Sequence, residues 1–233
     1  MTNKTIGIIC AMAKEMNHYK EIFHSFDVKK IMGFSFCEGT YNDNKIVFSE
    51  CGIGKVNAGI LTTLMIEHYH PDFIINTGVA GGFDKNLKTF DVVVADRVFY
   101  HDADCRLADD IPYGQIQGLP MYFLADIILN KKISETNGNI YIGAIASGDE
   151  FVKDYNRMEN KINEYFKGVK VLACDMESGA IAHACYLQGV PFTIIRSISD
   201  IVGGNQIIDY SKFTIEASNL AAKIVIDLIE TEE

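Results

Sequence analysis

Proline is scarce in this 233-residue sequence, with 4 residues, and basic side chains are outnumbered, 21 Lys and Arg against 31 Asp and Glu. So little proline beside 48% hydrophobic and 22% charged residues excludes a disordered, low-complexity chain. The formal net charge of −10 argues against nucleic acid or an anionic membrane surface as a partner. No apolar stretch approaches the roughly 18–20 residues of a membrane span. The first apolar run, from Ile6 to Met12, is closed by Lys14 and Glu15 and has no small-residue cleavage pattern, so no secretory leader is expected. The cysteines (Cys10, Cys37, Cys51, Cys105, Cys174, Cys185) show no C-x-x-C spacing and read as reduced, buried thiols of a cytoplasmic protein. His68 and His70 have no third ligand nearby, so neither a metal site nor a cofactor is expected. Repeats and linkers are also missing, and one domain over residues 1–233 is expected. A chain of this size buries roughly 70–75% of its unfolded surface and needs no metal or disulfide to hold its core.

What is present is an alternation of short β-branched runs with longer helical patterns. Strands are expected at 5–10, 35–41, 45–51, 73–77, 91–100, 141–146, 169–174 and 192–199, with a hairpin turn at Asn42-Asp43-Asn44. Helices are expected at about 14–26, 56–69, 154–166, 177–187 and 210–229. This predicts a single-domain three-layer α/β/α architecture with a central mixed, mostly parallel twisted sheet. The irregular stretch between Asp102 and Leu119 is long for a compact domain, and such loops are usually functional.

In open α/β sheets ligands bind beyond the carboxyl ends of the strands. Those positions hold Glu15 after the first strand, Ser147-Gly148-Asp149-Glu150-Phe151, Asp175-Met176-Glu177 and Ser199-Asp200. Carboxylates gathered at one sheet edge suit general acid–base chemistry. Each alone has a plainer account, since acidic residues favour the first turn of a helix. Arg196 interrupts an otherwise apolar strand, and a buried guanidinium needs a carboxylate or a ligand beside it. Gly52-Ile53-Gly54-Lys55 fails as a phosphate loop, with Ser49 and Val56 where Gly and Ser or Thr would stand. Gly78-Val79-Ala80-Gly81-Gly82 lacks the dinucleotide-binding spacing. It reads as a turn whose backbone can approach a ligand closely, making Val79, Ala80 and Gly81 candidate contacts.

Ile6-Gly7-Ile8-Ile9 with Ala11-Met12 and Glu15, followed by Gly52-Ile53-Gly54-Lys55-Val56-Asn57-Ala58, resembles the opening of the 5′-methylthioadenosine/S-adenosylhomocysteine nucleosidases, hydrolases of the nucleoside phosphorylase fold. The resemblance continues through Ile74-Ile75-Asn76-Thr77-Gly78, Tyr100-His101-Asp102-Ala103-Asp104, Ser147-Gly148-Asp149 with Phe151, Asp175-Met176-Glu177 and Arg196-Ser197-Ile198-Ser199-Asp200, and so covers nearly the whole chain. It implies hydrolysis of the N-glycosidic bond between adenine and a 5′-thio-substituted ribose, with 5′-deoxyadenosine as a further candidate substrate. By matching position, Glu15 is similar to the base that activates water and Asp200 to the acid that protonates adenine N7. Glu177 would grip the ribose hydroxyls, with Asp175 beside it and Met176 against the sugar. Phe151 would stack on adenine, the Val152 backbone would read its edge, and Arg196 and Ser199 would support the water and Asp200. Tyr210 falls at the aromatic lid, and Met12 and Ile53 would line the pocket below it.

Two departures stand out. Val79 occupies a position where the family usually has Ser, which removes a polar contact and favours water over phosphate. After Asp104, the family supplies apolar groups across a homodimer interface to the neighbouring site, whereas this sequence reads Cys105-Arg106-Leu107-Ala108-Asp109-Asp110, with Gln117 near a family proline. The implied partner is a second copy whose loop between Asp102 and Leu119 reaches the site. A phosphorylase of the same fold is one alternative, but Glu15 would repel phosphate. Another is a hydrolase of an aminofutalosine-type adenine nucleoside, and a third is a non-catalytic nucleoside binder, which would not need Glu15, Glu177 and Asp200 together.

Overall fold

In the computed structural model, which describes residues 3–106 and 111–231, the first strand, β1 (Thr5–Cys10), lies between β4 (Asn44–Glu50) and β5 (Phe73–Gly82), parallel to both. Its period-2 pattern sorts side chains to two cores: Ile6, Ile8 and Cys10 to one face, Ile9 to the other. β4 continues antiparallel into β3 (Phe34–Tyr41) and then β2 (Phe26–Ile31). On the other side, β5 pairs in parallel with β10 (Phe192–Ile201) and antiparallel with β9 (Val171–Asp175). β10 meets β6 (Val92–Tyr100), β6 meets β8 (Ile140–Ser147), and β8 meets β9. A two-residue strand, β7 (Phe123–Leu124), adds to β6.

The expected α/β architecture with a mixed central sheet is present, but the sheet is neither mostly parallel nor a simple central layer. Strands β5, β10, β6, β8 and β9 close into a ring, while β1, β4, β3 and β2 remain an open wing. Among the described residues five pairings are parallel and five antiparallel, so the sheet is mixed. Closure follows from local irregularities. Register shifts in β10, β6 and β9 add curvature, and the end of β5 is shared by β10 and β9. At Gly82 a Cβ would lie 2.9 Å from Ile201 Cδ1 and 3.0 Å from Ile198 Cγ2. The cluster from Gly78 to Gly82, read from sequence as a turn, is the second half of this strand.

Helices α2 (Lys55–Tyr69) and α5 (Ser178–Gln188) pack together over one face, where Leu61, Met65, Ile181 and Cys185 meet Ile9, Val47 and Ile74. The other face is covered by α1 (Ala13–Ile22), α3 (Ile127–Ser134) and the long α6 (Gln206–Glu230), which bring Met16, Tyr19, Leu129, Val225 and Leu228 against Ile6, Ile8, Ile75 and Val94. α4 (Tyr155–Tyr165) seals the ring through Met158, Ile162 and the following Phe166 against Phe99 and Ala144. Each fully buried Ile, Leu or Val contributes about 1.5–3 kcal/mol.

Two elements differ from expectation for physical reasons. The first helix stops at Ile22, and residues 26–31 form β2, an edge strand whose exposed Asp27, Lys29 and Lys30 hide its strand character. α3 was not expected, yet Asp126 caps it by accepting hydrogen bonds from the Ile128 and Leu129 amides. Between Asp102 and Leu119 the described residues form neither helix nor strand. Residues 107–110 of that stretch lie outside the described residues.

Candidate functional site

The carboxyl ends of β1, β5, β9 and β10 converge on one side of the ring, and the chain turns there place the polar side chains. Glu15 sits in the first turn of α1 and is 2% exposed. Its Oε2 accepts from the Ala11 and Met12 amides at 2.8 and 3.0 Å, and its Oε1 from the Val79 amide at 3.0 Å. Burial pushes its pKa above the usual carboxylate value, although Arg196 and the three amides oppose the shift.

Arg196, fully buried in β10, meets the acidic neighbours its sequence context demanded. Its Nε donates to Asp175 Oδ2 at 3.0 Å, and its Nη2 to Asn76 Oδ1 at 2.8 Å and Glu177 Oε2 at 3.4 Å. Nη1 has no hydrogen-bond partner within the protein. Burial disfavours the guanidinium charge, but Asp175, Glu177 and Glu15 outweigh it and hold Arg196 protonated. A Cβ at Gly78, where φ is +149°, would run into the Glu15 carboxylate and lie 2.8 Å from Arg196 Nη1. Glu15 and the free Nη1 thus flank the same point on β5.

Glu177, at the start of α5, accepts from the Gly54 amide at 3.0 Å. Burial, with Asp175 and Glu15 adding to it against Arg196, raises its pKa to about 7. Asp175 also accepts from the Ser178 hydroxyl at 2.8 Å. Asp200 ends β10 with Oδ1 accepting from the Ser199 hydroxyl at 2.7 Å and Oδ2 from Gln206 Nε2 at 2.9 Å. Burial raises its pKa despite these two donors.

These groups surround a cavity of about 610 Å³, part of it open to solvent. The residues given a catalytic or binding role from sequence line it except Arg196, which stands behind the wall: Met12, Glu15, Ile53, Val79, Ala80, Gly81, Phe151, Val152, Asp175, Met176, Glu177, Ser199, Asp200 and Tyr210 all face it. Phe151 and Tyr210 meet edge to face, with ring centroids 5.9 Å apart. The Tyr210 hydroxyl contacts Met12 Sδ at 3.1 Å, and Lys14 Nζ lies over the Tyr210 ring. Asp149 lies outside the lining and accepts from the Lys55 amide at the neighbouring turn.

Sequence reasoning missed Asn76 and Gln206. Asn76 could have been found by the argument used for Arg196, as a polar residue inside the apolar run of β5. Gln206 carries no such signal. Among the described residues no group of three or more His, Cys, Asp or Glu side chains could hold a metal ion, and no helix is long and apolar enough to cross a membrane. Chemically, the cavity presents buried carboxyl groups whose pKa values burial raises, together with an aromatic face, and the unpartnered Arg196 Nη1 stands behind its wall.

The sequence profile of the phosphorylase superfamily matches residues 5–230. A 5′-methylthioadenosine/S-adenosylhomocysteine nucleosidase of Staphylococcus saprophyticus is 38% identical over 230 residues, covering 97% of this chain and 99% of that protein. The corresponding nucleosidase of Neisseria meningitidis, solved with methylthio-immucillin-A, superposes with a TM-score of 0.92 at 32% identity, covering 98% of this chain and 99% of that one. The futalosine hydrolase of Helicobacter pylori superposes with a TM-score of 0.91 at 30% identity, covering 98% of each chain. On sequence and fold together, the chain belongs to the phosphorylase superfamily and, within it, to the 5′-methylthioadenosine/S-adenosylhomocysteine nucleosidase family.

Proposed function

We infer that this enzyme hydrolyses the N-glycosidic bond of 5′-methylthioadenosine and S-adenosylhomocysteine, releasing adenine and the 5′-thio-substituted ribose. The observation that carries this reading is the meeting of Glu15, Glu177 and Asp200, all buried and all with raised pKa values, in one cavity.

In the reaction the C1′–N9 bond breaks with its electron pair leaving on the purine, and Asp200 gives its proton to N7. A water oxygen bonds to C1′ while its proton passes to Glu15. Burial supports Asp200 in the protonated form this step needs. Arg196 Nη1, free of protein partners, is the donor that positions the water beside Glu15. Glu177, held by the Gly54 amide and Arg196, takes the ribose hydroxyls, and Met176 packs on the sugar. Phe151 stacks on adenine, Val152 reads its edge, and Tyr210 covers the thio group. 5′-Deoxyadenosine presents the same reacting bond and is a further substrate of this reading.

Hydrolysis is favoured over phosphorolysis because the Val79 amide is committed to Glu15. An incoming phosphate would lose that donor and face a carboxylate. A second reading, an adenine nucleoside of aminofutalosine type, is favoured by the likeness to the futalosine hydrolase and by Arg106, ion-paired to Asp104, in the stretch after Asp104 where the family has apolar groups.

The site works within a homodimer in this reading. An apolar groove lined by Val56, Ile60, Tyr100, Ala103, Ile116 and Leu187 runs beside the loop that begins at Asp102. Val56, Ile60 and Leu187 are exposed there in the single chain, as an unpartnered interface would be. All six cysteines are free thiols, five of them buried, which fits the reducing cytoplasm.

The deciding experiment supplies methylthioadenosine, S-adenosylhomocysteine, 5′-deoxyadenosine and aminofutalosine in phosphate-free buffer and again with phosphate. Adenine and free thio-ribose, formed at a rate indifferent to phosphate, are the expected products. A strict phosphate requirement would make the enzyme a phosphorylase.

A further inference from the structure

Gln206, the first residue of α6, is 6% exposed and lines the cavity. One atom of its side chain, Nε2, donates to two acceptors at once: the Val152 carbonyl at 3.0 Å and Asp200 Oδ2 at 2.9 Å. The orientation of the carboxamide is fixed by its surroundings. Its Oε1 accepts from the Gly203 amide at 3.2 Å, and a carbonyl such as that of Val152 can only be met by the NH₂ end. A planar NH₂ group therefore sits between the two acceptors that face the purine in the reading given above.

Adenine carries a planar NH₂ of its own on C6, on the same edge as N7. If Asp200 delivers its proton to N7, the 6-amino group falls beside Asp200 and the adjoining Val152 carbonyl. We propose that the Gln206 carboxamide is a stand-in for the 6-amino group of the substrate's adenine, holding the Val152 carbonyl and Asp200 in the free enzyme and displaced when the base enters. This rests on the adenine nucleosidase reading and adds to it a residue that tunes base recognition.

The physical reason for such a device is the cost of leaving buried acceptors unmade. Without Gln206, both the Val152 carbonyl and Asp200 Oδ2 would lose a donor in the empty cavity. With it, adenine binding exchanges one N–H pair for another, so the base gains less from its amine than the two contacts suggest. The exchange also sets selectivity. A 6-oxo purine would bring a second acceptor against the Val152 carbonyl, and could neither replace the Gln206 donors nor use them fully.

The test compares binding of free adenine with that of purine, which has no 6-amino group, to the wild type and to Gln206→Leu. Removing the competing donor should tighten adenine by about three- to tenfold, the usual worth of a net hydrogen bond. Purine should gain nothing, so the adenine-to-purine preference rises. Unchanged or weaker adenine binding in the variant would overturn the stand-in. So would an equal gain for purine, which points to a change of cavity shape alone. Should the variant fail to fold, the wild type supplies a second measurement in its side-chain amide ¹⁵N–¹H resonances. Adenine should move the Gln206 pair to a solvent-like position while purine leaves it in place, and a pair unmoved by adenine overturns the proposal. Wild-type turnover of methylthioadenosine, measured first, separates the two readings. Inactivity would sink the nucleosidase, whereas an active wild type with an unmoved Gln206 would sink the stand-in alone.

Discussion

Glu15, Asp200 and Glu177 are carboxyl groups of one kind given different environments by their neighbours. Proton-transfer partners typically contribute about 10²–10⁴-fold each. Asp200→Asn should lose adenine release by that order while still binding methylthioadenosine, measured by turnover and by calorimetry. Glu15→Gln should behave likewise, and a wild-type rate in either variant would remove that residue from the chemistry. For Glu177 the consequence is one of stability. Its folded pKa of about 7 exceeds the ordinary value of 4.5 because burial disfavours its charge. Between those values the folded protein holds a proton that the unfolded chain has released, so rising pH weakens the fold through that window. Relative to Glu177→Gln, which cannot titrate, the wild type should lose up to about 1.4 kcal/mol per pH unit there and level off above pH 7. Thermal unfolding of both proteins across pH 4.5–8 checks this, and parallel curves would show Glu177 ionised throughout. These residues were legible in the sequence because charged groups at strand ends, or inside apolar strands, need a reason to be there. Gln206 was not, since an amide at the start of a helix looks like any surface polar residue until Asp200 and Val152 fold against it.

At the scale of elements, the site depends on the turn before α2. Lys55 Nζ donates to both oxygens of Asp102 at 2.8 and 2.7 Å, its own amide donates to Asp149 Oδ1, and the preceding Gly54 amide holds Glu177. The Asp149 amide in turn donates to Asp102. Two loops and a helix start are thereby tied to the residue assigned to the ribose. Lys55→Met should loosen the turn and raise KM about three- to tenfold, the order of one net hydrogen bond, with a smaller change in kcat. Steady-state kinetics with methylthioadenosine would show it, and an unchanged KM would mean the turn holds without Lys55. Most strands and helices were readable from periodicity, because buried parallel strands are strongly apolar and helices carry wide apolar stripes. β2 and α3 escaped because their solvent faces dominate. β2 is a charged edge, and α3 exposes Ile127 and Ile128 while burying Leu129 and Ile133.

For the whole molecule, the groove beside the Asp102 loop decides whether one chain is enough. A carboxylate placed in an apolar interface is costly to desolvate. Leu187→Glu should weaken a dimer by at least about tenfold and lower activity with it, seen by sedimentation and by the dependence of specific activity on protein concentration. A monomeric, fully active wild type would end the dimer reading. Ring closure was the part of the architecture least legible beforehand, because it depends on the register shifts in three strands and on β5 pairing three ways, none of which periodicity records.

That sharing of β5 has a consequence for how the enzyme comes into being. β5 ends at Gly82 and its partner β10 begins at Phe192, so the two are joined only after most of the chain between them exists. Asp200 lies near the end of that last strand, and Gln206 and Tyr210 follow it. On the ribosome the open wing of β1 to β4 can assemble early, whereas the ring, and with it Asp200 and Tyr210, must wait for the final stretch of synthesis. A chain that ended before β10 would hold Glu15 without Asp200, the residue proposed as its acid partner.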